Sequence, residues 1–367
     1  MKGKNFNNPG DKPRVLVAPL DWGLGHATRC IPIILMVLQQ NCDVIIAAEG
    51  PCKFLLQEEF PDLVFLELKG YRITYSKNKS GLPLKILAQF PKLIYRIYAE
   101  HRWLNKMVKL HAIDLVISDN RFGMYHKTVP AVYITHQLKI KTGNRFTAQI
   151  AQKINYHFIN KYKECWVPDT AGEINLAGGL SHPGVMPAVP VKYIGPLSRF
   201  KKIETENKYD LTIILSGPEP QRSVFEELIL KDLKNYSGKT LLVRGLPANT
   251  TLLQSTSSSL EIQNHLPAAA LNHVLQQSKI IISRCGYSTV MDLITLQKKA
   301  VLVPTPGQTE QEYLAYHLLK EQLFLCIDQN NFSLADVLKK AAGFQFKTIT
   351  LLNDYEKTAE DFINSNS

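Results

Sequence analysis

Two short stretches hold the residue types that could do chemistry. The first is Gly23-Leu24-Gly25-His26-Ala27-Thr28-Arg29. A histidine titrates near neutrality, so at a helix start it is suited to accept a proton from a bound hydroxyl. Gly23 and Gly25 let another molecule come close to the backbone. The dinucleotide fingerprint Gly-x-Gly-x-x-Gly fails here, because its third glycine falls at Thr28 and Glu49 is a poor match for the ribose-reading acid. His26 is therefore a candidate base, with a helix cap as the alternative. Asp119, in Asp119-Asn120-Arg121-Phe122-Gly123, either orients His26 as the acid of a hydrolytic triad does or caps its own turn. His136 follows a short apolar run and either faces the same ligand or belongs to the core.

The second stretch is Ser283-Arg284-Cys285-Gly286-Tyr287-Ser288-Thr289-Val290-Met291-Asp292. Gly286 predicts a tight turn, and Ser288 and Thr289 are good N-cap residues. Such a helix start offers N–H groups and a positive dipole end to an anion. Ser216-Gly217-Pro218-Glu219-Pro220-Gln221-Arg222 suits a phosphate or pyrophosphate, or else is an ordinary strand-to-helix turn. Arg244 and Arg284 add positive charge at neighbouring strand ends. Gln308, Glu310, Gln311 and Glu312 supply donors and acceptors that fit sugar hydroxyls. Thr309 and Glu312 also read as a capping box.

These residues need strands and helices to place them. Continuous apolar runs at Arg14–Pro19, Cys42–Ala47, Leu63–Leu68, Ile113–Ser118, Ala131–Thr135 and Cys165–Val167 alternate with helical patterns. The same alternation recurs at Leu211–Leu215, Thr240–Val243, Leu260–Gln263, Lys279–Ile282, Ala300–Val303 and Leu323–Ile327. Such runs predict parallel sheets covered on both faces. The expected fold is α/β, with two doubly wound, Rossmann-like domains facing a cleft. The expected domains are 1–197, a linker 198–209, a second domain 210–350, and a C-terminal helix in 351–367 packing back on the first. Ligands of such sheets bind beyond the carboxyl ends of the strands.

The chain has 367 residues, 45% hydrophobic and 20% charged, which fits globular domains rather than a membrane span or a disordered chain. A polar N-terminus without an apolar signal core predicts a cytoplasmic protein. Six cysteines without a Cys-x-x-Cys pair read as buried thiols and argue against a structural zinc site. The net charge is +11. From Lys69 to Leu110, ten basic residues meet one acid, Glu100. That segment is either a solvated helix face or a contact for anionic membrane at its inner face. No nucleic-acid motif accompanies it.

Taken in this order, Gly23–Arg29, Ser216–Arg222, Ser283–Asp292 and Pro304–Gln311 resemble the GT-B-fold glycosyltransferases of the family 28 type. These are relatives of the MurG-type N-acetylglucosaminyltransferases. The resemblance is nearest to a bacterial and archaeal group with Gly-x-Gly-His-Ala-Thr-Arg near its start, and it spans nearly the whole chain. It implies a nucleotide-diphosphate sugar, usually a UDP-sugar, bound mainly by the second domain. The turn of Gly286, Tyr287, Ser288 and Thr289 would face the diphosphate, and Asp292 the ribose. Glu310 and Gln311 would face the donor sugar, with His26 as base. Gly23, Gly25, Arg29 and His136 fall on the acceptor side, and Ser216, Gly217, Arg222, Arg244, Arg284 and Gln308 on the donor side. Inversion at the anomeric carbon follows by resemblance. The chain lacks an Asp-x-Asp motif, so a metal-independent hexosyltransferase without a cofactor is expected. The acceptor expected is lipid-linked or otherwise membrane-associated. Two alternatives stand beside it, a nucleotide-sugar hydrolase or epimerase and a non-catalytic binding subunit.

Overall fold

A computed structural model describes residues 12–71, 82–141, 145–247, 249, 251, 253–255, 257–349 and 354–366. In the helices starting at Leu82 and Arg145, side chains are described from 91 and 147 onward. The chain divides into two compact units, Met1–Leu197 with Leu352–Ser367, and Ser198–Leu351.

The first unit contains β1 (Arg14–Pro19), α1 (Leu24–Gln39), β2 (Asp43–Ala48), α2 (Gly50–Glu59), β3 (Val64–Glu67), α3 (Leu82–His111) and β4 (Leu115–Asp119). It continues through β5 (Ala131–Ile134), α4 (Arg145–Ile159), β6 (Glu164–Val167) and β7 (Val191–Tyr193). All seven strands are parallel, in the order β3-β2-β1-β4-β5-β6-β7. The apolar runs become these strands because helices cover both faces. In β1, Val15 to Pro19 are all buried. β7 escapes the sequence pattern: it is three half-buried residues at a sheet edge.

The second unit contains β8 (Tyr209–Ile214), α5 (Gln221–Leu233), β9 (Thr240–Val243), β10 (Leu260–Gln263), α6 (Ala268–Gln276) and β11 (Ser278–Arg284). It continues through α7 (Tyr287–Thr295), β12 (Ala300–Val303), α8 (Thr309–Lys320), β13 (Leu325–Cys326) and α9 (Leu334–Gly343). Its six parallel strands run β10-β9-β8-β11-β12-β13. A last helix, α10 (Tyr355–Asn364), belongs to the first unit. Phe362, 1% exposed, sets its ring edge against Trp166 at 5.7 Å.

Both strand orders reverse at one place, between β1 and β4 in the first sheet and between β8 and β11 in the second. In open parallel sheets a crevice forms at that switch, beyond the carboxyl ends. His26 follows β1 and Asp119 ends β4. Ser216–Arg222 follows β8, and Gly286–Asp292 follows β11. Topology alone thus brings each pair of sequence motifs together.

The basic helix α3 sorts its residues by face. Ile97 and Leu104 are buried, and Leu93, Ile94 and Trp103 pack against core clusters rather than facing outward. Lys92, Tyr95, Tyr98, Arg102, Lys106 and Lys109 are exposed. The side chains of Leu84, Ile86, Leu87 and Phe90 lie outside the described ones. All six cysteines are buried and free. Among the described residues no helix is long and apolar enough to cross a membrane.

Candidate active site

The first unit gathers its chemistry around Asp119, which is fully buried. Gly23 starts the turn with φ of 128°, a conformation that disfavours any side chain. It leads into α1, whose first turns carry His26 and Arg29 on one face at i,i+3 spacing. His26 Nδ1 lies 2.9 Å from Asp119 Oδ2. Arg29 Nε donates to both Asp119 oxygens, at 2.9 and 2.8 Å, and its Nη2 donates to Oδ1. Arg29 Nη2 is also 2.9 Å from His26 Nδ1, and Nη1 is 3.3 Å from His136 Nδ1. His26 is 16% exposed, while Arg29 is 3% and Asp119 0% exposed.

Burial raises the Asp119 carboxyl, but the Arg29 charge and the hydrogen bonds to Arg29 and His26 outweigh it and hold it below its ordinary range. His26 is pulled below its ordinary value by burial and then by Arg29, against the opposing pull of Asp119. The shift favours the neutral ring, the form able to take a proton. Asp119 adopts the orienting position rather than a turn cap. Arg29 and His136, expected as acceptor contacts, are buried and engaged inside this cluster instead. Sequence spacing could not reveal that, because the carboxylate that recruits Arg29 lies 90 residues away.

A second buried pair supports the same loops. Arg121 Nη1 donates to Glu100 Oε1 at 2.7 Å, and its Nε donates to the Pro19 carbonyl at 2.7 Å. Glu100 Oε2 accepts from Tyr71 Oη and from the Gly123 N–H, both at 2.8 Å. This network ties α3 to the ends of β1 and β4. Nearby, a cavity of about 470 Å³ is lined by Asp21, Glu49, Gly50, Pro51, Lys53 and Glu67. It lies beyond the carboxyl ends of β1, β2 and β3. Trp22 beside it is 44% exposed.

In the second unit the three arginines serve the fold. Arg222 Nε donates to Glu219 Oε1 at 2.6 Å, and Glu226 bridges Arg222 (3.2 Å) and Arg244 (2.6 Å). The i,i+4 spacing of Arg222 and Glu226 was the available signal. Arg284, 1% exposed, stacks 4.3 Å over Phe225 and donates to the Gln221 and Pro304 carbonyls. No carboxylate pairs with it among the described residues, and burial lowers it to about 10. It thus joins the loops that follow β8, β11 and β12.

The turn after β11 departs from expectation in two ways. α7 begins at Tyr287, with Gly286 in the N-cap position rather than Ser288 or Thr289. Gly286 has an ordinary φ of −82°, and a Cβ there would meet only Thr289 Oγ1, at 3.9 Å. Neither conformation nor packing demands a glycine. Tyr287 turns into the core at 4% exposure, leaving Ser288 and Thr289 half-exposed. Gly217, with φ of 102°, does need its glycine, and Ser216 beside it is exposed. Asp292 accepts from Ser198 Oγ at 2.6 Å, and burial pushes its carboxyl up to about 6.

The capping box also differs. Thr309 is inside α8 and Gln308 precedes it. Glu312 accepts from the Gly307 N–H at 2.8 Å, and Gln311 accepts from the Thr305 N–H at 2.9 Å. Gln311 also donates to Gln308 at 2.5 Å, so these side chains shape the loop, while Glu310 is half-buried.

Two parallel-sheet α/β units with ligand edges of this kind define the GT-B glycosyltransferase fold, and known proteins agree. Residues 240–362 match the glycosyltransferase family 28 C-terminal domain. The chain thus carries that domain and is an enzyme of the glycosyltransferase class. An uncharacterized glycosyltransferase of Methanopyrus kandleri is 20% identical over 353 residues, covering 90% of this chain and 95% of that protein. The calicheamicin glycosyltransferase CalG4 superposes with a TM-score of 0.64 at 12% identity, over 97% of this chain and 95% of its own. MurG of Acinetobacter baumannii superposes with a TM-score of 0.55 at 15% identity, over 97% and 100%.

Proposed function

We propose that this chain transfers a hexosyl group, with inversion, from a UDP-sugar to a hydroxyl of a lipid-linked or membrane-associated acceptor, within the Gly-x-Gly-His-Ala-Thr-Arg group. The observation that carries this is His26, the most exposed member of an otherwise buried cluster with Asp119 and Arg29. The acceptor oxygen bonds to the anomeric carbon as the bond from that carbon to the diphosphate breaks. The hydroxyl proton passes to His26, and the electron pair leaves with the diphosphate. Asp119 then faces the imidazolium and stabilises it.

In the second unit, the bare backbone at Gly286 and the N-terminus of α7, with Ser288 and Thr289, receive the diphosphate. Ser216 and Gly217 lie at the neighbouring loop. Asp292 takes the ribose hydroxyls in place of Ser198, and Glu310 and Gln311 meet the donor sugar. Arg222, Arg244 and Arg284 hold these loops in shape, so the dipole and N–H groups act on the leaving charge without a metal. The acceptor's membrane association draws support from the exposed basic face of α3 and from MurG among the similar structures. The carboxylates and exposed Trp22 around the first-unit cavity suit a hydroxyl-rich acceptor.

The test is release of UDP from a panel of UDP-sugars, with and without lipid extract. Release that requires lipid supports transfer. Release in water alone makes the chain a hydrolase, and nucleotide binding without release makes it a binding subunit. His26→Ala should lower turnover by about 10²–10⁴ with donor affinity nearly unchanged. Unchanged turnover removes His26 from the reaction.

A further inference from the structure

His26 Nδ1 stands between two partners that cannot both be satisfied. Asp119 Oδ2, at 2.9 Å, needs that nitrogen to carry a hydrogen. Arg29 Nη2, also at 2.9 Å, is a donor and needs its lone pair. Asp119 does not depend on the ring, since Arg29 Nε and Nη2 already occupy its oxygens. The guanidinium therefore does two things. It fixes the carboxylate, and it sets a permanent positive charge against the edge of the imidazole.

We propose that Arg29 is a positioning residue for His26: it holds Asp119 in place, contests the same ring nitrogen, and so keeps the ring unprotonated until a hydroxyl delivers its proton. This rests on the reading of His26 as base and adds the device that makes it available. An unopposed histidine–carboxylate pair would hold a proton too readily, because the carboxylate favours the charged ring. A ring already protonated cannot act as a base. With Arg29 inserted, the cluster of Asp119, Arg29 and neutral His26 is balanced in charge while nearly buried.

Among the described residues no other charge acts on His26 at that rank. α1 itself adds Cys30, whose thiol is kept protonated by burial. Asp119 comes from β4, and His136 from the loop after β5. Of the other elements packed on α1, α2 brings Cys52, also raised by burial, to about 11. β1 leads into Asp21, and α10 carries Tyr355, Glu356, Glu360 and Asp361 along its length. The charges that act on His26 are those of Arg29, Asp119 and His136.

The experiment follows the His26 ring by NMR in the full chain labelled at histidine, with His26→Gln to assign the signal. In the natural protein the midpoint should lie below the ordinary value of about 6.5. In Arg29→Met it should rise from its value in the natural protein, by about 1–3 pH units, as expected when a neighbouring charge is removed while burial still holds the ring down. Arg29→Lys keeps the charge and should leave the midpoint low. Asp119→Asn should lower it further. A midpoint in Arg29→Met that stays put or falls overturns the proposal. If that variant does not fold, a low midpoint kept in Arg29→Lys and lowered in Asp119→Asn supports it, and a midpoint above 6.5 in the natural protein overturns it. The titration needs no turnover, so it stands or falls apart from the His26→Ala assay. With turnover in hand, the acid limb of the pH profile should move with the NMR midpoint.

Discussion

Replacing Asp292 by asparagine should stabilise the second unit, and only above a particular pH. Its carboxyl is raised from 3.8 to about 6 because burial outweighs the help of the Ser198 hydroxyl and the Arg199 charge. A gap of that size is worth about 3 kcal/mol. Below pH 3.8 the group is protonated in the folded and the unfolded chain, so it costs nothing. Between about pH 4 and 6 the unfolded chain releases the proton first, and stability falls as pH rises. Above pH 6 the full cost of about 3 kcal/mol is present. The asparagine side chain cannot ionise, yet its carbonyl still accepts from Ser198 Oγ. Asp292→Asn should therefore gain up to about 3 kcal/mol at pH 8, or roughly 6–12 °C in Tm for a unit of this size. Near pH 4 the gain should vanish. Thermal unfolding of both proteins from pH 4 to 8 measures it. No gain at pH 8, or the same gain at pH 4, would refute the assignment of a costly desolvated acid at this half-buried position. On the proposed function the same variant binds UDP more weakly, so stability and function should move in opposite directions.

Three other expectations accompany the His26 and Arg29 assays. Glu100→Ala leaves Arg121 charged and buried and strands the donors of Tyr71 and Gly123, so chemical denaturation should show a loss of about 3–5 kcal/mol. Glu100→Gln, which keeps one acceptor, should lose less. Anionic vesicles should retain the chain weakly at low salt, and reversing Lys92, Arg102, Lys106 and Lys109 to Glu should release it. Equal retention on neutral vesicles would make α3 a solvated face.

Much of the fold was legible in the sequence because parallel strands buried on both faces are continuous apolar runs. Lys279–Ile282 and Ala300–Val303 needed no context to be read. β7 did need it, since Val191–Tyr193 is too short and too exposed to leave a pattern. The turns around His26 and Gly286 were found because a glycine beside a polar helix start is a local signal. What the charged residues do there was not local. Asp119 recruits Arg29 from 90 positions away, and Arg121 finds Glu100 across 21. A count of arginines at strand ends suggested cations awaiting an anion. Glu219 and Glu226 already neutralise two of them, and the third lies on Phe225. Glu219 and Glu226, three and four residues from Arg222, carried a local signal, while the pairing of Glu226 with Arg244, 18 positions away, did not.

The return of α10 to the first unit sets an order on synthesis. Ala359, Phe362 and Ile363 are buried in that unit, and Asn366 bonds to Lys163. The ribosome makes them only after the whole of residues 198–351. At about 5–20 residues per second those 154 residues take roughly 8–30 s. During that interval the second unit is still being made, while the first waits with the surface around Trp166 uncovered. A nascent chain is thus most open to chaperones, and to misassembly, in the half that was made first.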